Sequence, residues 1–276
     1  MAEKPSAQDV REAQRIELRK QREKELSRQK RVRMAIIAAI VVVALVLVAG
    51  IGLLIYKANA PEPELPLKQP TSISKEEPVL SFKADDTKPV VDVVFDYMCP
   101  FCGSFEQINS SDLHEMIESG DATVNFHVRT FLSKKMSTTE YSARAGGAAV
   151  CTFEDSPEVF LKFHELLFAN QPAEGGPGLS DRELVTYAKQ AGAKDSTLSC
   201  IKDQKFRRYA TDVLEPAGAK LSPATPAVFI NGKEWGADGA WQQPGALKEA
   251  VASSGTPGAS DAGGASDAGG ASDSGN

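Results

Sequence analysis

The chain has 276 residues, 42% of them hydrophobic and 25% charged, which allows one sizeable folded domain with appendages. Its formal net charge of -6 is unevenly divided, because residues 1–33 hold eleven Lys and Arg against six Asp and Glu. That segment therefore carries +5 and the remainder -11, and so acidic a remainder argues against nucleic-acid binding.

The N-terminal arm, residues 1–33, alternates charges of both signs at helical spacing. This pattern predicts a solvated or membrane-skimming helix. A nucleic-acid function for the arm is the weaker interpretation, because six acidic residues interrupt the basic run.

A second N-terminal segment, Met34 to Tyr56, contains 23 residues and no charge. Such a helix crosses the ~30 Å hydrocarbon core with some tilt. The excess of basic residues before it predicts a cytoplasmic N-terminus and an extracytoplasmic remainder. The alternative is a signal peptide cleaved after Ala60. The apolar run exceeds a signal h-region of about 7–15 residues and Pro61 follows the site, so we favour a single-pass anchor in the cell membrane.

Two segments of biased composition flank the expected folded domain, residues 80–252. Residues 57–79 contain five prolines without apolar periodicity and predict an extended tether that lifts the domain off the membrane. Residues 253–276 repeat Gly-Ala-Ser-Asp and predict a disordered tail, because these residue types cannot build a core.

The first half of the domain reads strand, helix, strand. A β-branched run, Val90 to Phe95, predicts a buried strand, and a helix follows from Cys99 to about Asn109. Ser111 to Ser119 is either a second helical piece or its continuation. Ala122 to Phe131 alternates and predicts a second strand. This spacing implies a right-handed parallel crossover.

The second half begins with a long helical region and ends in a hairpin. Ala227 to Ile230 and Lys233 to Gly236 are short strands joined by an Asn-Gly turn signal, and a last helix runs from near Gln243 to about Ala252. The predicted helices before the hairpin are Thr138–Phe153, Pro157–Ala169, Asp181–Ala191, Asp195–Lys202 and Lys205–Ala219.

The Cys99-Pro100-Phe101-Cys102 motif stands where the first strand meets the first helix. Near a helix N-terminus, the unpaired N–H groups and the positive end of the dipole stabilise a thiolate at Cys99. Pro100 fits an early helical position, where its missing N–H costs nothing. The motif therefore predicts a redox dithiol. Zinc is the weaker alternative and no metal is expected, because the remaining cysteines and histidines lack metal-ligand spacing.

The chain resembles the DsbA-like branch of the thioredoxin superfamily, in a membrane-anchored form. The resemblance is carried by FDYMCPFC at 95–102, by the helical block at about 137–220, and by TPAVFINGK at 225–233. It implies an α/β, thioredoxin-like fold with a helical insertion domain, preceded here by a single transmembrane helix. No cofactor is implied.

The same resemblance implies roles for individual residues. Cys99 is the cysteine that reacts with substrate, and Cys102 resolves the mixed disulfide. Pro226 is the cis-proline packed against the pair, and Thr225 before it lines the substrate groove.

Residues around the pair adjust its chemistry. Pro100 and Phe101 tune the thiols, and Phe101 stands where many relatives have a His whose positive charge helps the thiolate. Val93 occupies the position of thioredoxin's buried acid. Strand alternation places Asp92 and Asp96 on one face, where either is a possible proton shuttle or, more often, a solvated or capping residue.

Cys151 and Cys200 are the other two cysteines of the chain. In an oxidising compartment we expect a structural disulfide that joins two helices of the insertion, with free core thiols as the alternative. The histidines are expected to be ordinary surface or core residues; they are His114, His127 and His164.

These features together predict a membrane-tethered, extracytoplasmic thiol:disulfide oxidoreductase that forms disulfides in exported proteins. Its expected partners are exported proteins with cysteines, the lipid bilayer around residues 34–56, and a membrane protein that reoxidises the pair. DsbB-like proteins and homologues of vitamin K epoxide reductase are the candidates for that last role. The alternatives are a reductase or isomerase, for example in cytochrome maturation, and a non-catalytic binding module.

Overall fold

The structure is a computed structural model that describes residues 7–59 and 65–255. The chain divides into two compact units, Met1–Glu64 and Leu65–Asn276. The predicted tail therefore lies outside the described residues from position 256 onward.

The described part of the first unit is one long helix, α1 (Ala7–Asn59), which runs without a break from the charged arm through the apolar segment. The stretch Arg22–Leu53 has a mean hydropathy of 3.2 at its most apolar part and is long enough to cross a membrane. Its apolar side chains are exposed, for example Val48 at 68%. By length and composition this helix fits the predicted anchor.

The second unit is built on a five-stranded mixed sheet of order β1-β3-β2-β4-β5. β2 and β3 pair in parallel, as predicted, and the other pairs are antiparallel. β1 is absent from the sequence prediction because it has only three residues. The strands are β1 (Leu80–Phe82), β2 (Val90–Phe95), β3 (Thr123–Val128), β4 (Ala227–Ile230) and β5 (Lys233–Trp235).

Helix α2 (Pro100–Ser119) is continuous, so the second predicted piece is its continuation. It packs against the C-terminal helix α10 (Ala246–Ser253), which begins later than predicted because Gly245 adopts φ 80° just before it. A short 3-10 turn, Ala240–Gln242, lies between β5 and α10.

The helical insertion lies between β3 and β4. Pro157–Ala169 and Asp195–Lys202 have the predicted bounds. The predicted helices Thr138–Phe153 and Asp181–Ala191 differ from the observed ones by a few residues at their ends, and the short α3 was not predicted. The helices are α3 (Leu132–Lys135), α4 (Tyr141–Asp155), α5 (Pro157–Ala169), α6 (Asp181–Gln190), α7 (Asp195–Lys202), α8 (Arg207–Tyr209) and α9 (Glu215–Leu221).

The predicted helix Lys205–Ala219 is wrong as a single regular helix. α8 continues through a π-helical stretch, Ala210–Leu214, into α9. Pro216 sits at the start of α9 and has no N–H to donate, so the regular hydrogen-bond ladder cannot pass through it.

The second unit starts at Leu65 rather than at the predicted boundary near Leu80. Residues 65–79 lie on the domain instead of forming a free tether. Ile73 is 4% exposed, and the Thr71 hydroxyl donates to a carboxylate oxygen of Glu154 at 2.9 Å. Ile73 joins the hydrophobic core and Thr71 binds Glu154 of α4, and neither contact can be read from composition alone.

Cys151 in α4 and Cys200 in α7 form a disulfide with an S–S distance of 2.01 Å and a Cα–Cα distance of 6.0 Å. The bond joins two helices of the insertion.

Candidate active site

The Cys-Pro-Phe-Cys motif lies where β2 passes into α2. Cys99 is the N-cap of α2 with extended backbone (φ -74°, ψ 117°), and Pro100 follows at the start of the helix. The Cys99 carbonyl accepts the N–H groups of Cys102 at 3.0 Å and Gly103 at 3.3 Å. The first turn thus presents both sulfurs at the end of the helix where the backbone dipole is positive.

The two cysteines are unpaired and differ in accessibility. Cys99 is 6% exposed and Cys102 only 1%. Phe101 between them projects into solvent at 67% exposure. A reagent from solvent therefore reaches Cys99 before Cys102.

The loop before β4 covers the thiol pair. β4 pairs with β2 in antiparallel register, Val94 opposite Ala227, and this brings the preceding residues to the sulfurs. The Thr225-Pro226 peptide bond is cis. The Cys99 thiol donates to the Thr225 carbonyl at 3.4 Å. The pairing of β4 with β2 brings Thr225 and Pro226 next to the cysteine motif, although the two motifs are far apart in the sequence.

The environment separates the acidities of the two thiols. A hydrogen bond from the Cys102 thiol lowers the pKa of Cys99 to about 6 despite partial burial, and backbone N–H groups of Cys102 and Phe101 contribute. Burial raises the pKa of Cys102 well above its usual range, and its interaction with Cys99 adds to the effect. Cys99 is thus the thiol that ionises near neutral pH.

A small cavity of about 230 Å³ adjoins the cis-proline. Pro226 and Ala227 line one side, Trp235 of β5 lines another, and Trp241 comes from the 3-10 turn that follows β5. The tryptophans also pack inward, since Trp241 contacts Phe105 at a centroid distance of 6.0 Å. Both tryptophans therefore pack against the core and also line the cavity.

The two aspartates of the first strand do not share an environment, so the prediction from strand alternation is wrong. β2 ends at Phe95, and Asp96 already belongs to the following turn. Asp92 is half-buried and contacts His127 at 2.8 Å, whereas Asp96 is fully buried. The Asp96 carboxylate accepts the Met98 N–H at 2.8 Å within the turn before α2, whose N-cap is Cys99.

Gln171, in the loop after α5, contacts the active-site turn and has no sequence signal of its own. Its side-chain amide donates to the carbonyls of Tyr97 at 3.1 Å and Cys99 at 2.8 Å. A Cβ at Gly103 would lie 2.3 Å from the Gln171 Oε1. A side chain at position 103 would therefore require the Gln171 amide to move.

His164 belongs to a buried polar network behind the turn. Its Nδ1 lies 3.0 Å from the Tyr97 hydroxyl, and its Nε2 lies 3.3 Å from a carboxylate oxygen of Glu106. Aromatic rings surround it, with Phe95 at 4.8 Å. The network fixes Tyr97, which precedes the reactive cysteine by two residues.

The positions of the cysteines do not favour a zinc site. Cys151 and Cys200, which zinc would need beside Cys99 and Cys102, are joined to each other. Within the described ranges, no group of three or more His, Cys, Asp or Glu is arranged to hold a metal ion.

The fold and sequence of this chain are similar to those of known proteins. A family model described as thioredoxin matches residues 84–249. The chain is similar to oxidised DsbA from Mycobacterium tuberculosis, with 28% identity, TM-score 0.51, and coverage of 57% of this chain and 84% of that one. It is also similar to MdbA, a thiol-disulfide oxidoreductase from Corynebacterium matruchotii, with 29% identity, TM-score 0.51, and coverage of 58% and 82%.

A further similarity is to the serine/threonine-protein kinase PknE of Mycobacterium tuberculosis, with 29% identity over 147 residues. The match covers 50% of this chain and 26% of that protein. The chain thus spans about a quarter of the length of the curated relatives it matches.

The helical insertion between β3 and β4 and the cysteine pair at the helix start accompany this similarity to DsbA-like thiol:disulfide oxidoreductases. The chain belongs to the thioredoxin family. The resemblance and fold class predicted from the sequence are confirmed.

Proposed function

We propose that this protein is a membrane-tethered, extracytoplasmic thiol:disulfide oxidoreductase that forms disulfides in exported proteins through Cys99 and Cys102. The observation that carries the proposal is the unequal pair of thiols. Cys99 has a pKa of about 6 and partial access to solvent, and Cys102 is buried with a raised pKa. A stabilised Cys99 thiolate favours the reduced pair, which makes the disulfide form an oxidant.

The reaction begins with the oxidised pair. A substrate thiolate attacks the Cys99 sulfur, the Cys99–Cys102 bond breaks, and the electron pair leaves on Cys102, which is protonated. A second substrate thiolate then attacks the substrate sulfur of the mixed disulfide. Cys99 leaves as a thiolate, which its low pKa favours. The substrate has lost two electrons and two protons, and the pair has gained the electrons.

The residues around the pair support substrate binding. The Thr225 carbonyl lies 3.4 Å from the Cys99 sulfur, so an extended peptide that pairs with this backbone would bring its own sulfur to Cys99. Pro226 and the neighbouring cavity would receive an adjacent apolar side chain. The exposed ring of Phe101 borders the same approach.

The apolar helix α1 supports the proposed location and, through it, the proposed partners. α1 would anchor the protein, with the basic arm in the cytoplasm and the second unit outside the cell membrane. The reduced pair then needs a membrane partner for reoxidation, either a quinone-linked DsbB-like protein or a homologue of vitamin K epoxide reductase. The binding partners in the outer compartment would be exported proteins that contain cysteines.

A reductase or isomerase is the second candidate, and one observation favours it. Phe101 brings no charge to the first turn of α2, so the Cys99 thiolate lacks the cationic neighbour found in many relatives. A less oxidising pair would be kept reduced and would break or rearrange disulfides.

Thiol trapping of the full-length protein in growing cells distinguishes the two directions. Cys99 and Cys102 should be mainly oxidised, and the Cys99→Ser variant should let reduced exported proteins accumulate. A mainly reduced pair would overturn the oxidase proposal. The reduction potential of the purified protein gives a second criterion, because about -120 mV indicates an oxidase and about -270 mV a thioredoxin-like reductant.

A further inference from the structure

A pocket of about 580 Å³ lies between the first turns of α2 and the end of α5, and we call it the α2–α5 pocket. One end of it is formed by the cysteine motif, because Pro100 and Gly103 line it. Gln171 lines it too, and its amide donates to the Cys99 carbonyl at 2.8 Å. The pocket shares no lining residue with the cavity at the cis-proline. It is therefore a second place beside the reactive cysteine where a substrate side chain can bind.

The α2–α5 pocket carries two carboxylates from facing helices, Glu106 of α2 and Glu165 of α5. The Glu106 side chain is only 8% exposed, and its Oε2 lies 3.3 Å from the His164 Nε2. Among the described residues, the Glu106 Oε1 has no hydrogen-bond partner. The Glu165 side chain is 45% exposed, and its Oε1 lies 3.3 Å from the His114 Nδ1. None of the described residues that line the pocket is Lys or Arg.

The contacts of Glu106 with the protein leave room for a cation. The Tyr97 hydroxyl lies 3.0 Å from the His164 Nδ1. When this hydroxyl donates to Nδ1, a neutral imidazole donates its Nε2–H to Glu106. The carboxylate then has one neutral donor and no countercharge, which is a costly environment for a buried charge. A cationic group that reached the free oxygen would compensate for that burial.

The rest of the lining suits the stem of a long basic side chain. Phe168 and Ala169 line the pocket from α5, and Pro100 lines it from α2. Lys and Arg have an apolar stem with a charged end, so they match an apolar wall with carboxylates beside it. An acidic side chain would place like charges together, and a neutral one would leave Glu106 without a countercharge.

We propose that the α2–α5 pocket is a specificity subsite that binds a Lys or Arg side chain of the substrate, close to the cysteine that reacts with Cys99. The proposal rests on the proposed function, since it requires substrates that bond to this sulfur. A mixed disulfide holds the two Cα atoms about 5.5–6 Å apart. Each further residue of an extended peptide adds about 3.3 Å. A long side chain within a few residues of the substrate cysteine therefore reaches a pocket that begins at Pro100.

Peptide kinetics test the subsite. Short peptides with one central cysteine carry Lys, Gln or Glu at one flanking position at a time. Their second-order rates with the oxidised full-length protein in micelles are measured by acid quenching and alkylation. Each rate is divided by that of the same peptide with glutathione disulfide, because a neighbouring charge also changes the reactivity of the peptide thiol. At one flanking position Lys should be preferred over Gln by about tenfold, the size expected for one charge-assisted hydrogen bond, and Glu should be disfavoured.

Variants locate the origin of the preference. Glu106→Gln and Glu165→Gln should each remove most of it. Glu118→Gln is the matched control, because it removes the same charge from an exposed position of α2 about 18 Å farther along the axis than Glu106, and it should keep the preference. Glu165→Lys should reverse the preference in favour of the Glu peptide. This substitution at a partly exposed residue also covers the case in which Glu106→Gln does not fold.

Three results would overturn the subsite. They are equal normalised rates for Lys and Gln at every position, a Lys preference that survives in both Glu106→Gln and Glu165→Gln, and a preference that is equally lost in Glu118→Gln. The last result would show an effect of overall charge. If neither the peptides nor glutathione reduce the oxidised pair, the proposed function fails together with the subsite. A pair that reacts with all the peptides at equal normalised rates overturns the subsite alone.

Discussion

The contact between Gln171 and Gly103 makes a testable prediction about how the insertion holds the active-site turn. Gln171→Ala removes two hydrogen bonds to backbone carbonyls, each with a net contribution of about 1 kcal/mol. We therefore expect the free energy of unfolding to fall by about 2 kcal/mol. Gly103→Ala places a Cβ 2.3 Å from the Gln171 Oε1, so we expect it to displace the same amide.

The two substitutions should be strongly coupled. In wild type, Gly103→Ala loses about 2 kcal/mol of hydrogen bonding and regains up to about 1 kcal/mol, because Ala is the better helix former. In the Gln171→Ala background the clash is absent, so the same substitution should be neutral or stabilising by up to about 1 kcal/mol. The expected coupling free energy is about 2 kcal/mol.

Urea unfolding of the full-length protein in micelles measures these values, followed by the fluorescence of Trp235 and Trp241. Gln171→Glu is the matched control, since it keeps the side-chain length but removes both amide donors, and it should cost at least as much as Gln171→Ala. If Gly103→Ala has the same effect in both backgrounds within about 0.5 kcal/mol, the steric argument is refuted.

The remaining predictions concern the thiols. The alkylation rate of Cys99 in the reduced protein should rise with pH and be half-maximal near pH 6, and a midpoint near the ordinary thiol value would contradict the stabilised thiolate. Phe101→His should lower that midpoint and make the disulfide more oxidising, as measured by redox titration, because a protonated imidazole would lie at the helix start. Replacement of Cys151 and Cys200 together by Ser should lower the free energy of unfolding by about 4 kcal/mol on the chain-entropy estimate, with the alkylation midpoint of Cys99 unchanged. A shifted midpoint would show that the structural disulfide also supports the active site.

Elements with strong local signals could be predicted from the sequence. The β-branched run of β2 and the prolines and caps of α2 and α5 are patterns of a few neighbouring residues. The hairpin turn is another, since Asn231 and Gly232 both adopt positive φ, at 50° and 76°. Together with the family resemblance, these patterns were enough to predict the parallel crossover and the position of the cysteine pair.

Features that depend on distant partners could not be predicted. The place of Gln171 in the site follows from the packing of the insertion on a turn far away in sequence, and its own loop carries no motif. The burial of Asp96 depends on β2 ending at Phe95 and on Ser142 closing over the turn. Residues 65–79 look like a free linker in composition, and their place is explained by the burial of Ile73 in the core and by the bond from Thr71 to Glu154.

Ser142 and Gln171 contact the active-site turn, so the insertion cannot be removed without loss of hydrogen bonds in the active site. Replacement of the helices between β3 and β4 by a short loop would preserve the sheet order. It would also leave the Asp96 carboxylate short of a donor and the carbonyls of Tyr97 and Cys99 without their amide partner. For protein engineering, a minimal domain cut from this chain would need new groups at those positions. For evolution, the sequences of the insertion and of the turn are constrained to change together.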